Sequence, residues 1–332
     1  MQDVAIQAQV SVATVSHVIN HTAKISEETV VRVQQVMEQL GYKQQPKADL
    51  HQGKRTIAVF VPDISNEFYA SIAESISKEA AKKGYGVMIC NIHHYQIEIG
   101  NIRSLIQTGV CGMIFCGCGP DDEIQIMNVT KRVPCVLCDR KIDGAQIDSV
   151  GTNNVAVLRQ MITKLSRFGY TRIGFISEDL VMSNSYDRHV GFRLGMEECN
   201  LEIDPEWVIL DSRLRVKKSD NAYVLMSELL AKKTSLPQVL LCTSDLIAIG
   251  VMKALQEHQI RIPQDIGVVG FDNISLAKFT TPPLTTIAQD MKQLGKVSVN
   301  TLIRKIEGID SSQLTEDIAL SAKIVCRKSI RL

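Results

Sequence analysis

Short apolar runs rich in β-branched residues alternate with amphipathic helical patterns through most of this chain, and this alternation limits the folds open to it. The first run, at residues 57–61, is followed by a helical pattern at 70–83 and by a second run at 87–90. A similar series begins at Asn153 and continues to a run at residues 266–270. Because continuous apolar runs separated by helices are typical of buried parallel strands, the two series predict two doubly wound α/β subdomains.

Polar and aromatic side chains follow several predicted strands, at the edge where open α/β sheets bind their ligands. Asn66, Phe68 and Tyr69 come after the first strand, and an aromatic pair can stack on the apolar face of a sugar or a base. Asp139 follows the fourth strand, where its carboxylate can accept two hydroxyl hydrogen bonds. Asp245 is expected to be the N-cap of a helix. The remaining candidates at strand ends and helix starts are Arg140, Arg188, Ser244, Asp272 and Gln289.

Ahead of the α/β region, residues 3–20 combine two short helical patterns with a tight break at Gln9. Ser11 stands at the start of the second pattern, where an N-cap hydroxyl can accept a hydrogen bond from the backbone. A third amphipathic pattern follows, and its apolar face consists of Val30, Val33, Met37 and Leu40. Residues 1–40 are therefore predicted to form a three-helix DNA-binding headpiece of the helix-turn-helix type.

The side chains of the second predicted helix divide by the chemistry they can offer to DNA. Val12 and Ala13 provide only apolar contact, for example to a thymine methyl group, whereas His17 can hydrogen-bond to a purine. Hydroxyl, amide and amino groups suit the phosphate backbone, which sets the register of a DNA-binding protein. The candidates for phosphate contacts are Ser11, Thr14, Ser16, Asn20 and Lys24.

The segment from Asp3 to Asn20 closely resembles the headpiece of the lactose-repressor (LacI) family of bacterial transcription regulators. Four later segments are similar to markers of the same family, namely YTRIG at 170–174, CTSDLIAIG at 242–250, GVVGFDN at 267–273 and PPLTTIAQD at 282–290. The resemblance covers essentially the whole chain and implies a periplasmic-binding-protein-like core behind the headpiece. It also implies a homodimer on a near-palindromic operator, with one headpiece on each half-site.

The same resemblance sets the expected domain boundaries. Residues 41–55 would be a hinge linker, and residues 56–332 an effector-binding and dimerisation core. Three crossings between the subdomains are expected, which assign 56–151 and 284–313 to the first subdomain and 152–283 and 314–328 to the second. In the family, a leucine of the hinge wedges into the minor groove and kinks the operator. The matching residues here are Ala48 and Leu50, one residue closer together than in the family pattern, and Leu50 is the expected wedge.

A sugar is the effector that the resemblance favours. In sugar-binding members of the family, ligand hydroxyls and ring faces are contacted from the positions that match Asn66, Phe68, Tyr69, Asp139, Arg188, Asp272 and Gln289. The chain is thus expected to repress a carbohydrate-utilisation operon under the control of a mono- or disaccharide. Two alternatives remain open: a purine- or nucleoside-responsive regulator of the same family, and a cytoplasmic sugar-binding protein or α/β enzyme without a DNA role.

Composition and motifs narrow the remaining classes of function. The sequence contains no Gly-rich phosphate loop, nucleophile elbow or HExxH motif, so no enzymatic activity is expected. The nine cysteines fall mostly beside apolar runs, where they are predicted to be small buried side chains, and no metal or cofactor is expected. No apolar run approaches the roughly 20 residues of a membrane span, and no signal sequence is recognised. We therefore expect a cytoplasmic protein that does not contact a membrane.

Overall fold

The computed structural model describes residues 2–20, 25–40, 55–92, 99–117, 119, 122–232, 235–309 and 315–331. The chain divides into two compact units, Met1–Gly53 and Lys54–Leu332. Several predicted DNA contacts lie outside the described residues, or have side chains that do: Ser16, Asn20, Lys24, Ala48 and Leu50.

Three helices surround a small apolar core in the first unit. They are α1 (Gln2–Gln7), α2 (Val12–Asn20) and α3 (Glu27–Gln39). The buried apolar residues are Val4, Ala5, Ala8, Val15, Val18, Val33, Val36 and Met37. The prediction that Leu40 lies in this core is wrong, since Leu40 is 43% exposed. Helix α3 ends before Leu40, and Val36 completes the buried face of the helix.

The second unit is built from parallel strands and intervening helices. The strands are β1 (Thr56–Val61), β2 (Gly86–Asn91), β3 (Gly112–Cys116), β4 (Cys135–Cys138), β5 (Asp148–Thr152), β6 (Ile173–Ser177), β7 (Val208–Leu210), β8 (Val239–Cys242), β9 (Gly267–Asp272), β10 (Thr285–Ala288), β11 (Asp317–Leu320) and β12 (Lys323–Val325). The helices are α4 (Glu67–Lys82), α5 (Ile99–Thr108), α6 (Glu123–Thr130), α7 (Asn154–Arg167), α8 (Ser183–Glu198), α9 (Lys218–Lys232), α10 (Asp245–Glu257) and α11 (Met291–Ile306). None of the helices within the described ranges is long and apolar enough to cross a membrane.

Two six-stranded sheets organise these elements. The strand orders are β11-β5-β4-β3-β1-β2 and β12-β10-β9-β8-β6-β7. Every pair in the first sheet is parallel, and in the second only β12 runs antiparallel to its neighbour β10. Strands β3, β4, β6, β8 and β9 are buried along their whole length, because helices cover both faces of each sheet. The predicted fold of two doubly wound parallel-sheet subdomains is confirmed.

The chain crosses between the sheets after β5, after β10 and after β11. Two of the predicted boundaries, at residues 284 and 314, are therefore wrong. Thr285 of β10 pairs with Val269 of β9, so β10 completes the second sheet before the chain returns to the first. Asp317 of β11 likewise pairs with Ser149 of β5, so β11 belongs to the first sheet. Both boundaries depend on which strands pair with each other, and strand pairing cannot be recognised from the local sequence pattern.

Cys90, Cys135, Cys138, Cys199, Cys242 and Cys326 are free thiols. Cys116, Cys135, Cys138 and Cys242 are buried in the strands. Burial raises the pKa of Cys135 to about 12 and also raises the pKa of Cys242, so both thiols stay protonated. Their role in the structure is that of small apolar side chains.

Candidate effector cleft and DNA-reading helix

The carboxyl ends of the two sheets bring a group of buried polar side chains together. Asp139 follows β4 of the first sheet, whereas Asp272 ends β9 of the second and Arg188 lies in the first turns of α8. Gln289 lies in the crossing segment after β10. All four side chains were sequence-predicted effector contacts, and all four are buried. The cleft between the subdomains is therefore lined by groups that can donate and accept hydrogen bonds.

Two hydrogen bonds and a cation–π contact orient the guanidinium group of Arg188. Its Nε donates to Asn154 Oδ1 at 3.0 Å, and its Nη1 donates to the backbone oxygen of Thr243 at 2.8 Å. The guanidinium carbon lies 3.9 Å from the ring centroid of Phe271, and Nη2 lies 4.0 Å from Asp139 Oδ1. A planar group with this many partners has one orientation, so Arg188 is a preorganised cation in the cleft.

Asp139 reaches the cleft from a left-handed backbone conformation, with φ of 61°. Its Oδ2 accepts a hydrogen bond of 3.0 Å from Asn184 Nδ2 in the second subdomain. Its Oδ1 is buried and accepts no hydrogen bond from the residues that the structure describes. Burial raises the pKa of Asp139 to about 6, although Arg188 and Asn184 favour the ionised form. One oxygen of this buried carboxyl group therefore has unused capacity to accept a hydrogen bond.

A chain of hydrogen bonds joins Asp272 to two crossing segments. Gln289 Nε2 donates to Asp272 Oδ1 at 2.7 Å, and Thr152 Oγ1 donates to Gln289 Oε1 at 2.5 Å. Burial raises the pKa of Asp272 well above its usual value, because the stabilising effect of Arg188 only partly offsets the loss of solvation. Asp272 also has a φ of 112°, a strained conformation for a residue with a side chain, and such strain concentrates at functional sites.

Sequence reasoning missed the second group of polar residues in the cleft. Glu178 forms an ion pair of 2.8 Å with Lys218 and accepts a hydrogen bond of 3.0 Å from Ser185 Oγ. Burial by itself would raise the pKa of Glu178, but Lys218 and Arg188 together hold that pKa below its usual value. Glu178 directly follows β6, so the strand-end rule that selected Asp139 would also have selected it.

Two predicted effector residues have their polar groups occupied elsewhere in the fold. Arg140 donates to the backbone oxygen of Gly119 at 3.2 Å and to Glu123 Oε1 at 2.5 Å, so its guanidinium group is held beside α6. Asn66 is the N-cap of α4, and its Oδ1 accepts from the backbone nitrogen of Phe68 at 3.1 Å. Sequence spacing identifies their position after a strand, but it does not show the direction of the side chain.

The N-cap of α10 is Ser244 rather than Asp245, so that prediction is wrong. Ser244 has an extended backbone, and its Oγ accepts from the nitrogen of Ile247 at 3.3 Å. Asp245 lies inside the first turn and accepts from Thr286 Oγ1 at 2.5 Å and from the nitrogen of Ile274 at 2.9 Å. Burial raises the pKa of Asp245 to about 7 against the effect of these hydrogen bonds. Asp245 therefore ties the start of α10 to β10 and to the loop after β9.

Phe68 and Tyr69, two of the predicted effector contacts, lie in an apolar core cluster of the second unit. Their ring centroids are 5.1 Å apart with an angle of 69° between the ring planes, and both residues are buried. Ile274 from the second subdomain lies in the same apolar cluster. Gly117, with φ of 59°, permits this packing, because a Cβ atom there would lie 2.6 Å from Tyr69 Oη.

Hydrogen bonds also link the subdomains at both sides of the cleft. On one side, the backbone nitrogen of Lys141 donates to Ser183 Oγ at 2.9 Å. On the other side, the backbone nitrogen and the hydroxyl of Ser275 donate to Glu67 Oε1 at 2.7 and 2.6 Å. Together with the contact between Asp139 and Asn184, these bonds join the rim of one subdomain to the rim of the other.

In the headpiece, α2 begins as predicted. Ser11 Oγ accepts from the backbone nitrogen of Thr14 at 3.0 Å and lies 2.8 Å from its hydroxyl, so Ser11 is confirmed as the N-cap. Val12 is 44% exposed, although it is apolar, and Ala13 and His17 are also exposed. The three side chains that were predicted to contact base edges are therefore exposed, Val12 and Ala13 in the first turn of α2 and His17 in its last turn.

Comparisons with known proteins agree with both units. Residues 1–45 match the family of bacterial regulatory proteins, lacI family, and residues 162–330 match the periplasmic binding protein-like domain. The HTH-type transcriptional repressor PurR of Pasteurella multocida is 30% identical over 100% of this chain and 98% of its own length. The ribose operon repressor of Haemophilus influenzae is 30% identical over 99% of this chain and 98% of its own.

A similar solved structure is that of a LacI family transcriptional regulator from Enterococcus faecium with bound ribose. It has a TM-score of 0.71 and 25% identity, and the match covers 83% of this chain and 98% of that chain. The sequence matches extend over both the headpiece and the core, and the relatives are repressors rather than enzymes. The chain therefore belongs to the LacI family of bacterial regulatory proteins and is a transcriptional repressor.

Proposed function

We propose that this protein is a homodimeric repressor of a carbohydrate-utilisation operon and that its effector is a sugar. The arrangement of Asp139, Arg188 and Asp272 carries this proposal. Neighbouring hydroxyls of a sugar each offer a donor and two acceptor lone pairs, so a carboxylate and a guanidinium group in the same cleft match them. Analogues that lack these hydroxyls would leave buried polar groups unpaired, which is costly.

A purine-responsive regulator is the competing proposal, and the similarity to PurR of Pasteurella multocida favours it. Recognition of a purine requires an accessible ring or apolar face against which the base can stack. Phe68 is only 3% exposed and Tyr69 only 7%. The guanidinium group of Arg188 covers one face of the Phe271 ring. Asp139, Arg188 and Asp272 are buried to the same degree, so burial does not separate the two effectors, and we infer a polyol from the polar character of the cleft.

Control of DNA binding would follow from the location of the cleft. Asp139 and Arg188 belong to different subdomains, so a ligand that contacts both stabilises one relative orientation of the two subdomains. In a homodimer, such a change alters how well the two headpieces fit a near-palindromic operator. The coupling is reciprocal, so an inducing sugar and the operator each weaken the binding of the other. A repressor bound to chromosomal DNA would act in the cytoplasm.

The decisive experiment measures the binding of the full-length protein to DNA from its own gene neighbourhood, in the presence and absence of candidate effectors. We expect salt-sensitive, sequence-selective binding that ribose or another sugar changes, and no change with hypoxanthine or guanine. Release by the purines instead would establish the competing proposal. If no sequence-selective binding is detected, the protein does not act as a repressor at these sites.

Arg188→Gln tests the location of the effector site. The variant should still bind the operator but should no longer respond to the sugar, because the preorganised cation is lost. Arg213→Gln is the matched control, since Arg213 forms exposed ion pairs with Asp211 and Glu228 on the surface of the second subdomain. Circular dichroism must show that Arg188→Gln is folded, because breaking a buried ion pair costs about 3–5 kcal/mol. A normal sugar response of the folded variant would place the site elsewhere.

A further inference from the structure

One carboxylate of the first subdomain is hydrogen-bonded to a loop of the second subdomain. Glu67 is the first residue of α4, directly after the N-cap Asn66, and it is partly exposed. Its Oε1 accepts one hydrogen bond of 2.7 Å from the backbone nitrogen of Ser275 and another of 2.6 Å from the Ser275 hydroxyl. The two residues are 208 positions apart in the chain, so their contact depends on how the two subdomains are placed relative to each other.

The loop that contains Ser275 begins at Asp272, one of the proposed effector contacts. Asp272 and Asn273 are successive residues with positive φ, of 112° and 62°. The backbone nitrogen of Ile274 donates to Asp245 Oδ2 at 2.9 Å, which fixes the loop on α10. Because strained conformations persist only where the surrounding structure holds them, this loop is a rigid connection. A displacement of Asp272 in the cleft is therefore also a displacement of Ser275.

An apolar contact between the subdomains lies beside these hydrogen bonds. Ile274 of the second subdomain is only 3% exposed and belongs to the same cluster as Phe68 and Tyr69 of the first. Leu246 and Ile249 of α10 pack against this cluster as well. Apolar burial favours contact between the subdomains without specifying one orientation, whereas hydrogen bonds depend on direction. The bonds from Ser275 to Glu67 therefore select one arrangement from those that the apolar contact allows.

We infer that Glu67 is a positioning residue for the control of DNA binding, because its hydrogen bonds to Ser275 hold the two subdomains in the arrangement that binds the effector. We call the Glu67–Ser275 pair the latch. This inference rests on the proposed function and assigns part of the regulation to a residue outside the effector contacts. In the same arrangement, Arg188 Nη2 lies 4.0 Å from Asp139 Oδ1, so an effector that contacts both residues also stabilises it.

The position of the latch at the rim makes it reversible. Ser275 is exposed and Glu67 partly exposed, so water can replace both hydrogen bonds when the subdomains separate. Asp139 and Asn184 are both buried, and separating them would leave polar groups without partners at a higher cost. The latch therefore biases an equilibrium between two arrangements, and a change in this bias alters the affinities for effector and operator together.

Hydrogen exchange at the backbone amide of Ser275 tests the latch without any effector. In the full-length protein, Glu67→Ala should accelerate this exchange by about 10-fold, because a charge-assisted acceptor is lost. Glu67→Gln should have a smaller effect, since its amide oxygen can accept the same hydrogen bonds without the charge. Glu74→Ala is the matched control, because Glu74 lies on the same helix and pairs with Lys78 at the surface. Unchanged exchange in Glu67→Ala would overturn the inference.

Affinities for ribose and for operator DNA test the consequence for regulation. Glu67→Ala should bind ribose about 10-fold more weakly than the wild type in calorimetry. It should change operator affinity in the direction opposite to bound effector, so operator binding should tighten if ribose induces. The substitution also removes a favourable charge at the start of α4, which lowers stability but cannot move the two affinities in opposite directions. Operator affinity that is unchanged, or that changes as it does with effector, would overturn the inference.

Ser275→Ala examines the other partner of the latch. It removes the hydroxyl donor and keeps the backbone donor, so the loss of ribose affinity should be roughly 3-fold. In the Glu67→Ala background the same substitution should have no further effect, because the acceptor is already absent. Additive effects of the two substitutions would show that the residues act independently and would overturn the latch.

The readouts separate failure of the latch from failure of the proposed function. If neither ribose nor another sugar changes operator binding by the wild type, the proposed sugar response is wrong. Exchange at Ser275 and the operator affinity of Glu67→Ala still decide the latch in that case. If a sugar releases the wild type and Glu67→Ala responds identically, the proposed function holds and the latch is wrong.

Discussion

Replacing Asp139 by asparagine measures the free-energy cost of burying its negative charge, because the other contacts of the side chain are largely kept. Asparagine has nearly the same volume, and its Oδ1 can still accept the hydrogen bond that Asn184 donates in the wild type at 3.0 Å. Arg188 does not become an unpaired buried cation in the variant, because it also interacts with the carboxylates of Asp272 and Glu178. The substitution therefore removes one buried negative charge and little packing.

The pKa of Asp139 gives the expected size of the effect. Burial raises this pKa from 3.8 to about 6, so the folded state binds the proton more tightly than the unfolded state does. Folding is therefore favoured when this carboxyl group is protonated. This contribution to the free energy of unfolding is fully present below about pH 4 and is lost as the pH rises to about 6. A shift of roughly two pKa units corresponds to about 3 kcal/mol. Asp139→Asn should therefore be about 3 kcal/mol more stable than the wild type at neutral pH.

Thermal and urea unfolding at a series of pH values measures this difference. For a chain of this size, about 3 kcal/mol corresponds to an increase in Tm of roughly 4 °C at neutral pH, which should vanish below about pH 4. The variant should also lose the increase in Tm that the effector causes. Asp265→Asn is the opposite control: Arg261 lowers the pKa of Asp265 to about 2, so this variant should be less stable than the wild type at neutral pH.

Two outcomes would refute the reasoning about Asp139. If Asp139→Asn is less stable than the wild type at neutral pH, attraction to Arg188 exceeds the cost of burial. If the difference in stability does not change between acidic and neutral pH, the ionisation of Asp139 is not its source.

Two further substitutions test the packing around Tyr69 and the role of the headpiece. Gly117→Ala places a Cβ atom 2.6 Å from Tyr69 Oη at a positive φ, whereas Gly144→Ala has a positive φ but no atom within 4 Å. Unfolding experiments should show a loss of about 1 kcal/mol for Gly144→Ala and a clearly larger loss for Gly117→Ala, and equal losses would contradict the contact with Tyr69. His17→Ala should reduce discrimination at one operator base pair by about 1–3 kcal/mol, measured by competition with substituted operators. Uniform weakening on every sequence would instead assign His17 to the phosphate backbone.

Prediction from the sequence succeeded where the signal is local. The N-cap at Ser11 was identified because a hydroxyl precedes a helical pattern, and the hydrogen bond to Thr14 has the expected form. At α10 the same rule selected Asp245 instead of Ser244, because either side chain can cap a helix and only the backbone conformation distinguishes them. Leu40 was placed in the core because the pattern does not show where α3 ends.

The sequence by itself determined the class of the protein: a helix-turn-helix pattern, then two series of buried strands and helices with polar residues at the strand ends. These features repeat over a few residues, so they can be recognised without knowledge of distant contacts. Only the tertiary structure decided which polar groups meet. Thr152 and Gln289 are 137 residues apart along the chain yet share a hydrogen bond, and Asp139 meets Asn184 from the opposite subdomain. Such partners are set by strand pairing and by the crossings between sheets, which place residues in contact regardless of their separation in the sequence.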